Sequence, residues 1–260
     1  MTLREQLTAA TGKGHLSYSS IKYALGDMQL WEMKMKGQAP YTSDALVFGT
    51  MYDMLLFERD KAMSEYIVLN EGDVLERCQS KTIEAKNPKL TKDYKEVKAA
   101  MEEEYKAKGQ TLTSSADWKT ANDMVERLAV CGLLKKRLTG KYQVEFNEDI
   151  DGVPLRGFLD CLGDGFITDS KSSRSVDKFR YDVNSFSYDI QAYIYTTVFD
   201  IKDYYWVVQE KTHPYYPAEI KCSEETLFKG EMKYHQALEN IKAYLKDKEP
   251  ELNCYASFVV

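Results

Sequence analysis

Histidine is scarce in this 260-residue chain: His15, His213 and His235 never form a close pair. A histidine-built metal site or a Ser-His-Asp arrangement therefore has little support, and each His reads as a solvent or structural residue. The five cysteines, Cys78, Cys131, Cys161, Cys222 and Cys254, are odd in number and far apart, with no C-x-x-C pair. They give no pattern for zinc or an iron–sulfur cluster and read as isolated reduced thiols. No apolar run approaches the ~20 residues that cross a bilayer. The segment Met1 to Ala10, with Arg4 and Glu5, lacks a signal-peptide hydrophobic stretch, so the expectation is a folded cytoplasmic protein with no membrane partner. Internal repeats and Gly/Ser- or Pro-rich linkers are also missing, which favours one domain over residues 1–260. Positive charge is in deficit, with 35 basic against 41 acidic side chains and a net charge of −6. Taken alone, that balance points away from nucleic acid.

What the chain does have is aromatic mass. Its 19 Tyr, 10 Phe and 3 Trp supply enough apolar area to offset chain entropy. From Leu16 to Glu58 the pattern is mainly helical, with Ser17 or Ser19 as N-caps and a second helix over Ala45 to Phe57. Residues 61 to 110 carry 10 basic and 10 acidic side chains, which reads as a solvated helical or loop-rich segment. Trp118, Ala121, Val125, Leu128 and Leu134 then recur at helical spacing, so an amphipathic helix is expected to about Leu138. Together these make a charge-rich helical insertion at about 61–140. Beyond it the runs shorten. Tyr142 to Asp149 and Val153 to Asp160 flank Asp151-Gly152, a two-residue hairpin signal, and Phe166 to Lys171 follows Gly163-Asp164-Gly165. A helix from about Asn184 to Phe199, strands near Tyr204–Gln209 and Ala218–Lys221, and a final amphipathic helix complete an α/β or α+β order.

Strand registry predicts which side chains meet. With the turn at Asp151-Gly152, Glu145 lies opposite Phe158 and Gln143 opposite Asp160, so Glu145 and Asp160 are diagonal neighbours on one face, within ~7–8 Å. With the next turn at Asp164-Gly165, Asp160 lies opposite Asp169, and period-2 alternation adds Lys171. One face thus gathers Glu145, Asp160, Asp169 and Lys171, with Leu159 and Thr168 on the other. A three-residue loop would instead put Asp160 opposite Thr168 and send Asp169 away. Converging carboxylates repel one another and resist desolvation unless a cation neutralises them. Mg²⁺ suits such a set because it takes oxygen ligands and keeps several waters. Lys171 beside it would hold a metal-bound hydroxide or the scissile phosphate, which points to metal-assisted phosphodiester hydrolysis. A plain surface cluster with Lys171 screening Asp169 is the competing reading.

Gly157-Phe158-Leu159-Asp160, then Asp169-Ser170-Lys171, then Tyr188-Asp189-Ile190-Gln191-Ala192-Tyr193-Ile194-Tyr195 resembles the PD-(D/E)xK nuclease superfamily. Its RecB-like and RecE-like phage or prophage exonucleases, including the exodeoxyribonuclease VIII type, carry G-x-x-D, D-x-K and Y-x-x-Q-x-x-x-Y motifs. Leu16-Ser17-Tyr18-Ser19 is similar to their opening L-S-x-S, and Gly49 to Glu58 resembles their G-T-x-x-H-x-L-L-L-E helix. The resemblance implies a restriction-endonuclease-like core, a central mixed sheet with an antiparallel three-strand meander flanked by helices. It also implies processive 5′→3′ exonuclease action on double-stranded DNA ends with one or two Mg²⁺ or Mn²⁺ ions. A homo-oligomeric ring, a single-strand annealing protein as recombination partner and, for a phage-encoded chain, the bacterial host cytoplasm go with it.

In those terms Asp160 and Asp169 are the expected metal ligands, with the Ser170 carbonyl as a third and Glu145 and Asp53 assisting. Lys171 activates water; Gln191 and Tyr195 support. Arg156, Arg174, Lys178 and Tyr188 are expected on DNA, and Lys135, Lys136, Arg137, Lys141 and Arg180 are further basic groups around the site. Three positions depart from the family: Asp53 stands where a His is common, Phe158 where an Arg is frequent, and Asp189 where a His is usual. An endonuclease on the same fold and a degenerate DNA-end-binding module are the alternatives. Residues 200 to 260 hold only Cys222 and Cys254, which disfavours an iron–sulfur nuclease.

Overall fold

A computed structural model describes residues 1–38 and 43–246; Cys254 lies outside the described residues. The chain opens with α1 (Leu3–Thr11), α2 (Tyr18–Tyr23), α3 (Met28–Met35), α4 (Asp44–Phe57) and α5 (Arg59–Glu65). Next come β1 (Tyr66–Leu69), α6 (Glu71–Leu75), α7 (Ser80–Ile83), α8 (Lys92–Ala107), β2 (Thr111–Ser114), α9 (Ser115–Val130) and α10 (Leu133–Arg137). The last part runs β3 (Lys141–Ile150), β4 (Val153–Leu162), β5 (Phe166–Ser173), α11 (Phe179–Ser185), α12 (Tyr188–Phe199), β6 (Asp203–Glu210), β7 (Pro217–Lys221) and α13 (Glu224–Lys246). Ser17 is the N-cap of α2, where it closes a capping box with Ser20. Among the described residues no helix is long and apolar enough to cross a membrane.

Strands β3 to β7 form one mixed sheet in that order, with β5 and β6 parallel and the other neighbours antiparallel. The parallel pair requires a crossover, and α11 and α12 supply it. At the β3–β4 turn Asp151 and Gly152 both take positive φ, 51° and 77°, the requirement of a type I′ turn. The register that follows pairs Ile150 with Val153 and Glu145 with Phe158, as the sequence predicts. Between β4 and β5, Cys161 pairs with Thr168 and Leu162 with Ile167; this is the predicted Asp164-Gly165 register.

Each face of the sheet buries its own cluster. On one, Leu159, Ile167, Tyr204 and Trp206 pack with α1, α2, α3, α12 and α13 through Leu7, Ile21, Trp31, Ile190 and Leu238. On the other, Cys161 and Val207 pack with Met51, Tyr52 and Leu55 of α4 and Ala121, Met124 and Leu128 of α9. Helix α9, expected within a charge-rich insertion, therefore covers the sheet. The charged stretch ahead of it holds a short parallel pair, β1 with β2, and a small cluster of Val74, Tyr94 and Met101, neither of which its composition suggests. Two helices are also interrupted where periodicity predicts one run: the first ends at Val130 instead of running to about Leu138, and the second begins at Tyr188 instead of about Asn184. Gly132, at φ 80°, separates α9 from α10, and Ser187, at φ 57°, separates α11 from α12.

Helices α12 and α13 approach so closely that a Cβ at Gly230 would lie 2.1 Å from the Asp189 carbonyl oxygen. Gly230→Ala is expected to destabilise the fold by about 1–3 kcal/mol through overpacking. A urea midpoint equal to that of the parent would show that the helices yield.

Candidate active site

Strands β4 and β5 separate after two paired positions, while β5 stays paired with β6 from Phe166 to Ser173. The fork leaves the Ser170 N–H without a strand partner, and it donates to Asp160 Oδ2 at 2.8 Å. Helix α12 closes the fork from one side. Gln191 Nε2 donates to Asp169 Oδ1 at 2.8 Å, and the Tyr195 hydroxyl donates to the Phe158 carbonyl at 2.9 Å. Gly157 makes room for this contact, since a Cβ there would lie 2.7 Å from the Phe146 ring and 3.5 Å from the Tyr195 oxygen. Helix α4 approaches from the other side and brings Asp53, whose Oδ1 is buried with no hydrogen-bond partner. Lys171 is ion-paired with the buried Asp169, donates to the Ser170 carbonyl at 3.2 Å and lies 5.0 Å from the Tyr188 ring centre.

The electrostatics follow from burial. Desolvation raises the Asp160 carboxyl to about 7, with Asp169 adding to the rise and Lys171 opposing it. Asp169 is likewise raised by burial, against the pull of Lys171 and Gln191. Burial and then Asp160 push Asp53 well above the usual carboxylate range. Burial alone would depress the Lys171 ammonium, but Asp169 and Asp160 outweigh it and hold the proton on. A half-buried lysine thus supplies part of the charge that three neighbouring aspartates need.

Glu145 requires a correction. It keeps the predicted register but is half-exposed and ion-paired with Arg156 at 2.7 Å, and it is not among the charges acting on Asp160. The cause is a break in alternation. Leu159 and Cys161, two apart, enter opposite cores, and Gln143, across from Asp160, takes φ 48°. Asp160 is turned into the fork, where Gln143 helps to hold its carboxyl down, while Glu145, Arg156 and Phe158 stay outside; Leu159 shares the Asp169 face after all. Arg156 is consequently neutralised by Glu145, while Arg174 and Lys178 are exposed. Of the other basic groups, Lys136 and Arg137 bind Glu219 at 3.1 and 2.7 Å, and the Arg137 guanidinium lies 3.7 Å from the Tyr205 ring centre. Asp189 is buried against Lys233 at 2.7 Å, a contact between α12 and α13.

The fork also gathers residues that sequence reasoning did not single out. Tyr18 and Lys22, four apart on α2, both lie within electrostatic reach of Lys171. Burial raises the Tyr18 hydroxyl, while burial and then Lys171 depress the Lys22 ammonium. The L-S-x-S match includes Tyr18 but gives no sign of Lys22. Tyr52, beside Asp53, is fully buried, and its hydroxyl donates to Gln209 Oε1 at 2.8 Å.

Among the described residues, no group of three or more Asp, Glu, His and Cys side chains is arranged to hold a metal ion by itself. Asp160, Asp169 and the Ser170 carbonyl nonetheless make an all-oxygen donor set, and Asp53 Oδ1 is a buried oxygen without a partner. Such donors fit a hard divalent ion that retains waters. Lys171 is ion-paired with Asp169 beside this donor set.

Over residues 17–256 the chain matches the family model of a PDDEXK-like domain of unknown function (DUF3799). The chain belongs to this family, and so to the PD-(D/E)xK nuclease superfamily. It is also similar to a crystal structure described as a "putative exonuclease" from Eubacterium rectale. The two share 17% identity and a TM-score of 0.60 over 97% of this chain and 90% of that one; at such identity the likeness speaks for the fold. No curated protein matches the chain.

With divalent ions chelated, all three raised carboxyls have the same thermodynamic sign. The unfolded chain releases these protons near its ordinary carboxylate value of about 4, before the folded chain does. Stability is therefore lost as pH rises from there, and the Asp160 share of the loss is complete once pH passes its folded value of about 7. In EDTA the urea midpoint should fall between pH 5 and pH 8, and fall less in Asp160→Asn. An equal fall in both proteins would mean that the fork does not govern it.

Proposed function

We propose that the chain is a Mg²⁺- or Mn²⁺-dependent deoxyribonuclease, and specifically an exonuclease acting on the ends of linear duplex DNA. The observation that carries this reading is the meeting of Asp160, Asp169 and Lys171 in the fork between β4 and β5. Asp160, Asp169 and the Ser170 carbonyl would hold the ion, with Asp53 as a further oxygen donor. Bound there, a divalent ion supplies Lewis acidity toward a phosphoryl oxygen and lowers the pKa of water. Lys171, protonated, donates hydrogen bonds to the attacking water or to a non-bridging phosphate oxygen. Gln191 holds Asp169 in orientation through Oδ1, and Tyr195 fixes the β4 backbone two residues before Asp160. Tyr188 and Tyr18 shield Lys171 from bulk water, which strengthens its interactions.

The local charge answers the deficit of basic residues. Lys22 and Lys34 form no ion pair among the described residues, and their ammonium groups lie 5.4 and 4.2 Å from the Tyr23 ring centre. Together with Lys171, Arg174 and Lys178 they offer a strand of DNA a limited basic path inside an acidic protein. The finer reading rests on the motif resemblance: 5′→3′ polarity, a ring-like oligomer, a single-strand annealing partner, phage-type recombination and a cytoplasmic setting.

Purified protein with Mg²⁺ or Mn²⁺ is expected to release nucleotides from 5′-labelled linear duplex and to spare covalently closed circles. Asp169→Ala and Lys171→Ala should each abolish release while keeping a cooperative unfolding transition; undiminished activity in both would remove the assignment. Cutting of closed circles would convert the exonuclease into an endonuclease, and DNA binding without hydrolysis would identify a catalytically degenerate end-binding module. Because Glu145 is engaged with Arg156 outside the fork, Glu145→Gln should retain activity within about threefold, less than 1 kcal/mol. Asp53→Asn should lose at least tenfold. The reverse order of these two effects would restore Glu145 to the site in place of Asp53.

A further inference from the structure

Helix α4 carries Asp53 but is held to the sheet almost wholly by apolar contacts from Phe48, Met51 and Leu55. Such contacts are non-directional and tolerate sliding or rotation of a helix. Metal ligands and catalytic groups need placement within ~0.5 Å. One directional contact opposes sliding. The Tyr52 hydroxyl donates to Gln209 Oε1 at 2.8 Å, and among the described residues this is the only side-chain hydrogen bond from α4 to the five-stranded sheet.

Gln209, on β6, is fully buried, and its amide is spoken for on both sides. Nε2 donates to the Met124 carbonyl of α9 at 2.9 Å and to the Tyr215 carbonyl, in the turn between β6 and β7, at 3.1 Å. Two carbonyl partners require the NH₂ group on that side, so Oε1 must face Tyr52. The amide cannot flip or leave without burying unpaired polar groups, at about 1–3 kcal/mol each. Tyr52 is followed on α4 by Asp53, whose carboxyl is acted on by Asp160 and Asp169. The contact therefore bears on the fork.

We infer that Gln209 is a positioning residue. Through Tyr52 it fixes α4 against β6, the neighbour of β5, and so sets Asp53 toward Asp160 and Asp169, tying the site to α9 and to the turn at Tyr215. The inference rests on the proposed role of Asp53 as an oxygen donor to the ion.

The test is Mn²⁺ binding to the full chain, measured by calorimetry and by the electron paramagnetic resonance of free Mn²⁺, alongside urea unfolding. Tyr52→Phe deletes one hydroxyl without opening a cavity and is expected to weaken Mn²⁺ binding about tenfold, the scale seen when an outer partner of a ligand is removed. Gln209→Met should weaken it at least as much. In an Asp53→Asn background, Tyr52→Phe should have no further effect on Mn²⁺ affinity. If Tyr52→Phe lowers stability but binds Mn²⁺ like the parent while Asp53→Asn binds it weakly, the contact is only structural and the inference falls. If Asp53→Asn binds Mn²⁺ like the parent, Asp53 is not a ligand. The proposed donor set then fails at that position and the inference with it. Loss of Mn²⁺ binding in Asp169→Ala reports separately on the rest of the set.

Discussion

Three aspartates withdrawn from water at one point are the constraint around which this molecule is arranged. Like charges at close range in a poorly solvated fork would drive the strands apart or take up protons. The chain answers with neutralising groups from separate elements: the Lys171 ammonium from β5, the Gln191 amide from α12 and the Ser170 N–H released by the strand separation. Each of these is fixed in turn by packing on one face of the sheet or the other. Two cores of different composition are thus needed to hold one small site, and each supplies a helix that reaches it.

The charge balance of the whole chain says little about such a site. Most lysines and arginines of residues 61–110 are ion-paired at the surface, as in Arg77 with Glu104 and Lys98 with Glu102, where each pair contributes little. Lys136 and Arg137, which look in the sequence like a phosphate-binding run, are taken by Glu219 on β7. The cations left facing the fork, Lys171 and Lys22, are few and partly desolvated. A net charge of −6 and a negatively charged substrate are compatible because the relevant field is local.

The meander is legible because two glycine-containing turns fix its registers, and a period of two places Asp169 and Lys171 together; Asp160 joins them through the fork, where its carboxylate accepts from the Ser170 N–H, and not through the expected pair with Asp169, because β4 and β5 part beyond Cys161 and Thr168. Glu145 was misplaced by the same logic. Alternation breaks at Gln143 and Asp160, and a single left-handed residue in a strand leaves no mark in a hydropathy pattern. Asp53 entered only through its resemblance to a family helix, because a carboxylate in an apolar helix could as well face solvent. Tyr52, Gln209 and Lys22 act through partners as many as 157 residues away in sequence, a separation that no local spacing encodes. The strands β1 and β2 were missed because four-residue parallel strands carry too few positions to show a period.

The fork also divides the labour of its two arms unequally. Strand β5 is laced to β6 along its whole length, so Asp169 and Lys171 ride on the stiffest part of the sheet. Asp160 sits on an arm that has left β5 while staying paired with β3, and it is tied back toward β5 and α12 by its carboxylate contact and the Tyr195 tether. One carboxylate is thus an anvil and the other a jaw. Widening the fork by a fraction of an ångström moves Asp160 relative to Asp169 without unzipping the ladder that holds the sheet together, so the aperture can adapt to its contents while the fold stays intact.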